Sequence, residues 1–464
     1  METLSGEAFG SYFAGRMACY NARFFHFMAI LRPFRALRYD PSKVQPQLAV
    51  TQPYDKITPA MQEKYYAASP YNLVRIILGK AEAGDNELSD VYTRAAASFA
   101  DWRTKGVLKP DAEPCLYTYT QSFTVPGSDV KAERRGFIAA GKIEEYAERV
   151  VFRHEQTLAK PKSDRLNLLR ATKAHFGHIF MLYSDAGEVD ALLTSTAAPD
   201  IEVADEYDVV HRVWKISDPA VIKAVQEKMK DQRLIIADGH HRYETSLNYR
   251  NERRASAETE IVGRDRLENP PYENVMMTLV NMNSPGMVIL PTHRVVHGLT
   301  NFSDDKFVEQ ASKHFRVEEV VGTISAAHAT SVLKEAGKAS TALIAVTATR
   351  AFLLYAPKSI GTPVFEGFSL RQQALDVVQL HKGLLEGVLG LSEESIRNQE
   401  NLSYLRDMGE ALTRARNGAN VSFLMNPCRM EQVRDIAFGG EVLPQKSTDF
   451  FPKMLDGLTI YAVD

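Results

Sequence analysis

A chain of 464 residues, 45% hydrophobic and 24% charged, has an ordinary globular composition, which argues against a fibrous or disordered protein. Its 55 Lys and Arg against 58 Asp and Glu leave a net charge of −3, without the positive surplus that many contacts along DNA or RNA would require. Cys19, Cys115 and Cys428 are too few and too scattered for a disulfide framework or a Cys-rich zinc site, and no apolar run approaches the roughly 18 residues of a membrane helix.

The length exceeds one ordinary core, so two or three packed units are expected. Residues 1–27 carry Glu2 and Glu7 where a secretory signal should be basic, and Arg16 and Arg23 break any apolar tract. They read as a poorly ordered extension of a cytoplasmic protein, with an over-called start codon as the alternative. A first unit, 28–145, opens on a strand at Met28. It continues with a helix-compatible stretch at 57–68, a β-rich alternation at 73–78, a helix at 92–106, and strands at 116–123 and 134–140. A central unit, 146–290, alternates a helix (162–173), a buried strand (179–183), a helix (219–230), a strand (234–237) and a helix (241–254). A charged loop or lid at 258–271 and a strand at 275–280 close it. The last unit, 291–464, holds helices at 302–314 and 324–336, a hairpin of 342–346 with 351–355, a long helix at 375–389, a strand at 421–425 and a helix at 430–437. The alternation predicts an α/β fold with mixed sheets, with α+β as the alternative.

The densest chemistry stands at Asp238-Gly239-His240-His241-Arg242. A buried strand feeds a tight turn that opens into a helix, so unpaired backbone N–H groups and the positive helix end face whatever sits there. Gly239 lets the backbone approach a ligand, Arg242 can grip phosphate bidentately, and His240 and His241 can move protons near neutrality. Asp238 can hold a divalent metal or accept a hydroxyl proton. The bland alternative is an Asp-Gly turn with two incidental histidines.

A second group is Arg153-His154-Glu155-Gln156-Thr157 with Lys160, Lys162, Asp164 and Arg165. His154 and Glu155 supply a candidate base, and Arg153, Lys162 and Arg165 can neutralise phosphate. Leu158 stands where a zinc-protease motif needs a second histidine. The competing reading is a solvated helix start capped by Thr157. A third group, Lys446-Ser447-Thr448, can bind phosphate without a Walker-type loop. Pro53-Tyr54-Asp55 and Tyr71-Asn72 are turn sequences first, and His293 and His381 stand alone in apolar patterns.

Taken together, Pro53-Tyr54-Asp55, Tyr71-Asn72, His154-Glu155 with Asp164-Arg165-Leu166, Asp238 to Arg242, Leu375-Asp376-Val377 with Leu380-His381, and Pro444 to Thr448 with Phe451-Pro452-Lys453 resemble the bacterial and archaeal family called domain of unknown function 1015. The resemblance covers about residues 28–458. The Asp-Gly-His-His-Arg turn more remotely resembles the ParB/sulfiredoxin-like fold and its free-serine kinase branch. That resemblance implies a ParB-like central core, a turn binding the phosphates of a nucleotide or phosphoserine, and a glutamate elsewhere as base. Only Asp238 to Arg242 match the kinase motif; Glu155 as the base rests on the residues alone.

The resulting expectation is phosphoryl transfer on free serine or phosphoserine, as kinase or phosphatase, with Mg²⁺ and with ATP or ADP as cofactors. The partner is then a small phosphorylated metabolite or nucleotide, with nucleic acid and membrane disfavoured and a homo-oligomer left open. Two rivals stand beside it: a ParB-like nucleotide-binding regulator associated with DNA, and a phosphometabolite-binding protein without catalysis.

Overall fold

Residues 116–142 form the first long hairpin because aromatic and β-branched runs flank Pro126-Gly127, where Gly127 takes φ 76° and Val125 closes the turn on Val130. In the computed structural model the described residues are 29–464 except 87, 158 and 261–268. The side chains of 159–161 and 258–260 are likewise left aside. The expected extension at 1–27, the strand start at Met28 and much of the loop at 258–271 lie outside the described residues.

A nine-stranded sheet is the frame. Its strands are β1 (Leu31–Arg32), β2 (Leu116–Thr124), β3 (Lys131–Lys142), β4 (Val151–Phe152), β5 (Ile179–Tyr183), β6 (Ile201–Ala204), β7 (Val210–Ile216), β8 (Leu234–Asp238) and β9 (Asn274–Asn281). They run in the order β4-β8-β5-β9-β3-β2-β7-β6, with β1 added to β3. Pairing is antiparallel except for β8 with β4 and β9 with β5. The sheet takes strands from both sides of residue 145.

Alternation sorts the sheet's two faces. Ile179, Met181 and Tyr183 pack with Val225 and Met229 of the helix Pro219–Met229. Phe180 and Leu182 point the other way, onto Phe450, Met454, Leu455 and Leu458. Both faces are therefore buried, which explains why β5 and β8 read as continuous apolar runs.

The second sheet has six strands: β10 (His293–Val296), β11 (Arg316–Glu319), β12 (Ala342–Val346), β13 (Ala351–Tyr355), β14 (Leu402–Leu405) and β15 (Val421–Met425). Its order is β11-β13-β12-β15-β10-β14, antiparallel throughout. The C-terminal segment then returns to the first sheet. Asp449–Phe451 pairs with Val288–Leu290, Thr51 bridges Asp456, Leu37 bridges Ile460, and Tyr461–Ala462 pairs with Ala174–His175. The mixed α/β class read from the sequence is the class the chain adopts. No helix among the described residues is long and apolar enough to cross a membrane.

Two expectations are corrected. The stretch 73–78 is not a strand: Val74–Ile77 is a short helix whose Val74 N–H is taken by the Asn72 side chain at 3.0 Å, and its branched residues bury against Phe99 and Trp102. Tertiary burial here overrides β propensity. The helix expected over 375–389 is also not continuous. A single turn, Asp376–Val378, runs into a π-helix, Gln379–Val388, with Leu389 N–H bonded five residues back to Leu384.

Candidate functional site

Strand β8 ends at Asp238, and helix α1 (His240–Glu260) begins two residues later, with Tyr243 N–H closing its first turn on the Gly239 carbonyl. The reversal needs Gly239 at φ 91°, a left-handed conformation; a Cβ there would also stand 3.1 Å from Arg242 Nε. Gly239→Ala is therefore expected to cost about 1 kcal/mol or more of stability. Chemical denaturation checks this, and a variant as stable as the wild type would refute the strained turn.

The turn opens on a cavity of about 460 Å³. Five cations line it, Lys56, Arg242, Arg406, Lys446 and Lys453, together with the carboxylates Asp55, Glu155, Asp238 and Asp449. Tyr54, Tyr207 and Tyr404 complete its walls with His240, His241 and Thr448.

These charges hold one another. Lys453 Nζ stands 3.1 Å from Asp449 and 3.7 Å from Asp238, and Arg406 donates to Asp449 at 2.6 Å. Arg242 lies 3.3 Å from Asp238 and 3.6 Å from the buried Asp456. Burial opposes the charge on Asp238, yet Lys453, Arg242 and Lys56 together keep its carboxyl well below the usual carboxylate range. Asp238 is thus a fixed anion that orients cations, and a poor proton acceptor. Glu155 is the opposite case: burial raises its pKa, against the lowering effect of the Lys446 N–H that it accepts at 3.0 Å. Burial, then Asp456's neighbours, set that residue apart too; desolvation raises its pKa to about 6 although Arg242 pulls the other way. Burial, and after it the charge of Lys453, lower the pKa of Lys56 against the raising effect of Asp449 and Asp55.

The residues predicted from the sequence separate into two sets. Asp238, Gly239, His240, His241, Arg242, Glu155, Lys446 and Thr448 converge on the cavity. His154, Arg153, Lys162, Arg165 and Ser447 do not line it. His154 is fully buried behind the wall. The Ile236 carbonyl, 2.7 Å from Nδ1, can only accept, so Nδ1 carries the proton and Nε2 accepts the Thr448 hydroxyl at 2.8 Å. Burial lowers the His154 pKa to about 4, so the ring is neutral, and Thr448 offers the cavity an acceptor oxygen rather than the donor expected. His240 packs on that ring at 4.8 Å and accepts the His154 backbone N–H through Nε2 at 3.4 Å; burial and His154 push its pKa well down.

Arg153 and Lys162 turn to Glu244 of α1, at 3.5 and 2.9 Å, where Thr157 also donates at 2.7 Å. Arg165 is spent on Asp164, the Ile77 carbonyl and the face of Tyr54. Ser447 donates to the carbonyl of Pro444, within its own turn. Lys160 and Leu158 fall where nothing is described. Sequence reasoning gave no role to Lys56, Tyr404, Arg406, Asp449 and Asp456. Only Lys453, close to Lys446, carried a local signal.

A divalent metal at Asp238 was expected. Asp238 is already matched by Arg242 and Lys453, and among the described residues no group of three or more His, Cys, Asp or Glu side chains is placed to hold a metal ion. The donor set does not fit a resident Mg²⁺, and the chemistry below takes its positive charge from the five cations.

The chain is thus a mixed-sheet α/β protein with a cation-lined cavity at a strand-to-helix turn. Residues 31–378 match the family described as protein of unknown function (DUF1015), and the chain belongs to that family. No curated protein matches it. Among solved structures it is similar to a conserved hypothetical protein from Pyrococcus furiosus, at 13% identity and TM-score 0.33, over 66% of this chain and 90% of that one. It is also similar to a free serine kinase in complex with AMP, at 14% identity and TM-score 0.33, over 67% of this chain and 89% of that one. A third is SbnI with C-terminal truncation from Staphylococcus aureus, at 10% identity and TM-score 0.34, over 69% and 85%.

Proposed function

We propose that the chain is a phosphoryl-transfer enzyme whose cavity binds a phosphorylated small molecule and whose acceptor or product is the hydroxyl amino acid serine. The observation that carries the reading is the convergence of Lys56, Lys446, Lys453, Arg242 and Arg406 on the helix start at His240. Backbone N–H groups at a helix start and a cluster of partly desolvated cations favour phosphate over any neutral ligand. Lys56, whose charge is opposed first by burial and then by Lys453, is stabilised by an arriving anion.

The remaining groups suit an amino acid. Asp55 and Asp449 can receive its ammonium, and a cationic side chain such as Arg406 its carboxylate. Glu155 carries the raised pKa that suits a group taking the hydroxyl proton as the phosphoryl group transfers. Asp238 keeps Arg242 and Lys453 aimed at the phosphoryl oxygens, and the neutral His240 borders them. A cavity of about 460 Å³ lies within the roughly 300–1,000 Å³ of pockets that enclose whole drug-sized ligands. Phosphoserine alone is smaller than that, and the remaining volume supports a second ligand such as ADP or ATP, and with it the kinase direction, over phosphatase.

The test is a coupled assay for phosphoserine formed from serine with ATP or ADP, run beside an assay for phosphate released from phosphoserine. Serine phosphorylation is expected with at least one nucleotide. Release of phosphate without a nucleotide requirement would turn the reading to a phosphatase. Thermal stabilisation by phosphoserine with neither reaction would make it a binding protein.

A further inference from the structure

Two arginines are wholly buried, and neither has a carboxylate within ion-pairing distance among the described residues. Arg134, on β3 of the large sheet, donates to Gln121 at 3.0 Å and to the carbonyls of Phe451, at 3.1 Å, and Pro452, with its plane 4.7 Å over the Phe180 ring. Gln121 completes the grip by donating to the Lys453 carbonyl at 2.7 Å. Arg294, on β10 of the small sheet, donates to the Lys446 carbonyl at 3.1 Å, with Gln445 at 3.5 Å, the Thr292 carbonyl and the His381 ring at 3.4 Å around it.

Burying a guanidinium without a counter-ion is costly, and a core position needs no charge for packing. What both arginines share is their acceptors: main-chain carbonyls of one segment, residues 445–452, that runs between the sheets. Lys446 within that segment and Lys453 just after it both line the cavity. Lys446 sits at φ 56°, an unfavourable conformation for a side-chain-bearing residue, held from both sides by Glu155 on its N–H and Arg294 on its carbonyl. Each guanidinium also reaches a cavity carboxylate electrostatically, Arg134 toward Asp238 and Arg294 toward Glu155.

We infer that Arg134 and Arg294 are a pair of positioning residues, one from each sheet, that strap residues 445–453 across the cavity and fix Lys446 and Lys453 where the phosphorylated ligand binds. A flexible lysine is a point charge with much rotamer freedom, so its value at a site depends on where its backbone is pinned. The ligand arm of this inference rests on the phosphate reading above; the strap itself does not.

The experiment uses the full chain with Arg134→Lys, Arg294→Lys and, should either fail to fold, Gln121→Met, which loosens the Lys453 end while leaving both arginines. Hydrogen exchange of the 444–455 amides is measured first, without ligand. Exchange at least about 10-fold faster, confined to that segment while β3 and β5 keep their protection, is the expected result. Unchanged protection of the segment, or loss spread evenly over the sheets, overturns the strap. Phosphoserine affinity by calorimetry is the second readout, with a 10-fold or greater rise in Kd expected in either lysine variant. If the wild type binds no phosphorylated ligand, the phosphate reading fails while the exchange result still decides the strap. If the wild type binds and the variants bind equally well, the strap is refuted and the phosphate reading stands.

Discussion

Asp238→Asn should lower kcat/KM for phosphoryl transfer by about 100-fold while leaving the fold intact, because misplacing a substrate-positioning group by about 1 Å costs on that order. Asp238 is the shared anion between Arg242 and Lys453, and its removal releases both. The fold should survive because each cation keeps a second partner, Arg242 in Asp456 and Lys453 in Asp449. Steady-state kinetics beside a thermal melt check both halves. Activity within about threefold of wild type would remove Asp238 from the mechanism, and unfolding under native conditions would mark the turn as structural only.

The second large effect is on stability. Arg242→Met is expected to cost about 3–5 kcal/mol near pH 8, the usual consequence of removing one partner of a buried ion pair. The uncompensated group is Asp456, whose side chain is 4% exposed and whose pKa burial raises to about 6. The sign follows from that value. Removing Arg242 lifts the Asp456 pKa above about 6, so from about pH 6 upward, where the wild type gains an anion paired with Arg242, the variant must keep Asp456 protonated or carry it unpaired, and the cost grows with pH. Below about pH 6 Asp456 is protonated in the folded state, and that part of the cost disappears. Asp238 does not add to this slope, since Lys453 still keeps it ionised across the range. Urea denaturation at pH 5 and pH 8 reads the difference. An equal loss at both values would show that Asp456 is not the orphaned group.

What the sequence made legible was local. The run from Leu234 to Asp238, the forced turn at Gly239 and the helix start at His240 are adjacent in the chain, so the change from apolar to polar reveals them directly. The same holds for the hairpin β12 to β13 and for the strands β2, β3 and β5, whose periodicity is their own. Arg153 and Lys162 misled because a cation beside a His-Glu pair looks like a phosphate ligand until its counter-charge is known. That counter-charge, Glu244, lies far along the chain on α1. Tyr404 and Arg406 had no signal at all, since they reach the cavity from the edge strand β14 and the residue just past its end, placed only by the register of the second sheet. Val74–Ile77 failed for a related reason: a branched apolar run means burial, and burial alone does not distinguish a strand from one helical turn.

The return of the C-terminal segment has a kinetic consequence. Leu37 meets Ile460 and Thr51 meets Asp456, so the earliest and latest parts of the described chain close on each other, and such high contact order slows folding. During synthesis the strands of the large sheet, the last of which ends at Asn281, can pair while Lys446 and Lys453 are still unmade. The cavity is therefore among the last features to assemble, so that a complete cavity marks a chain that has finished folding and not merely one that has been synthesised.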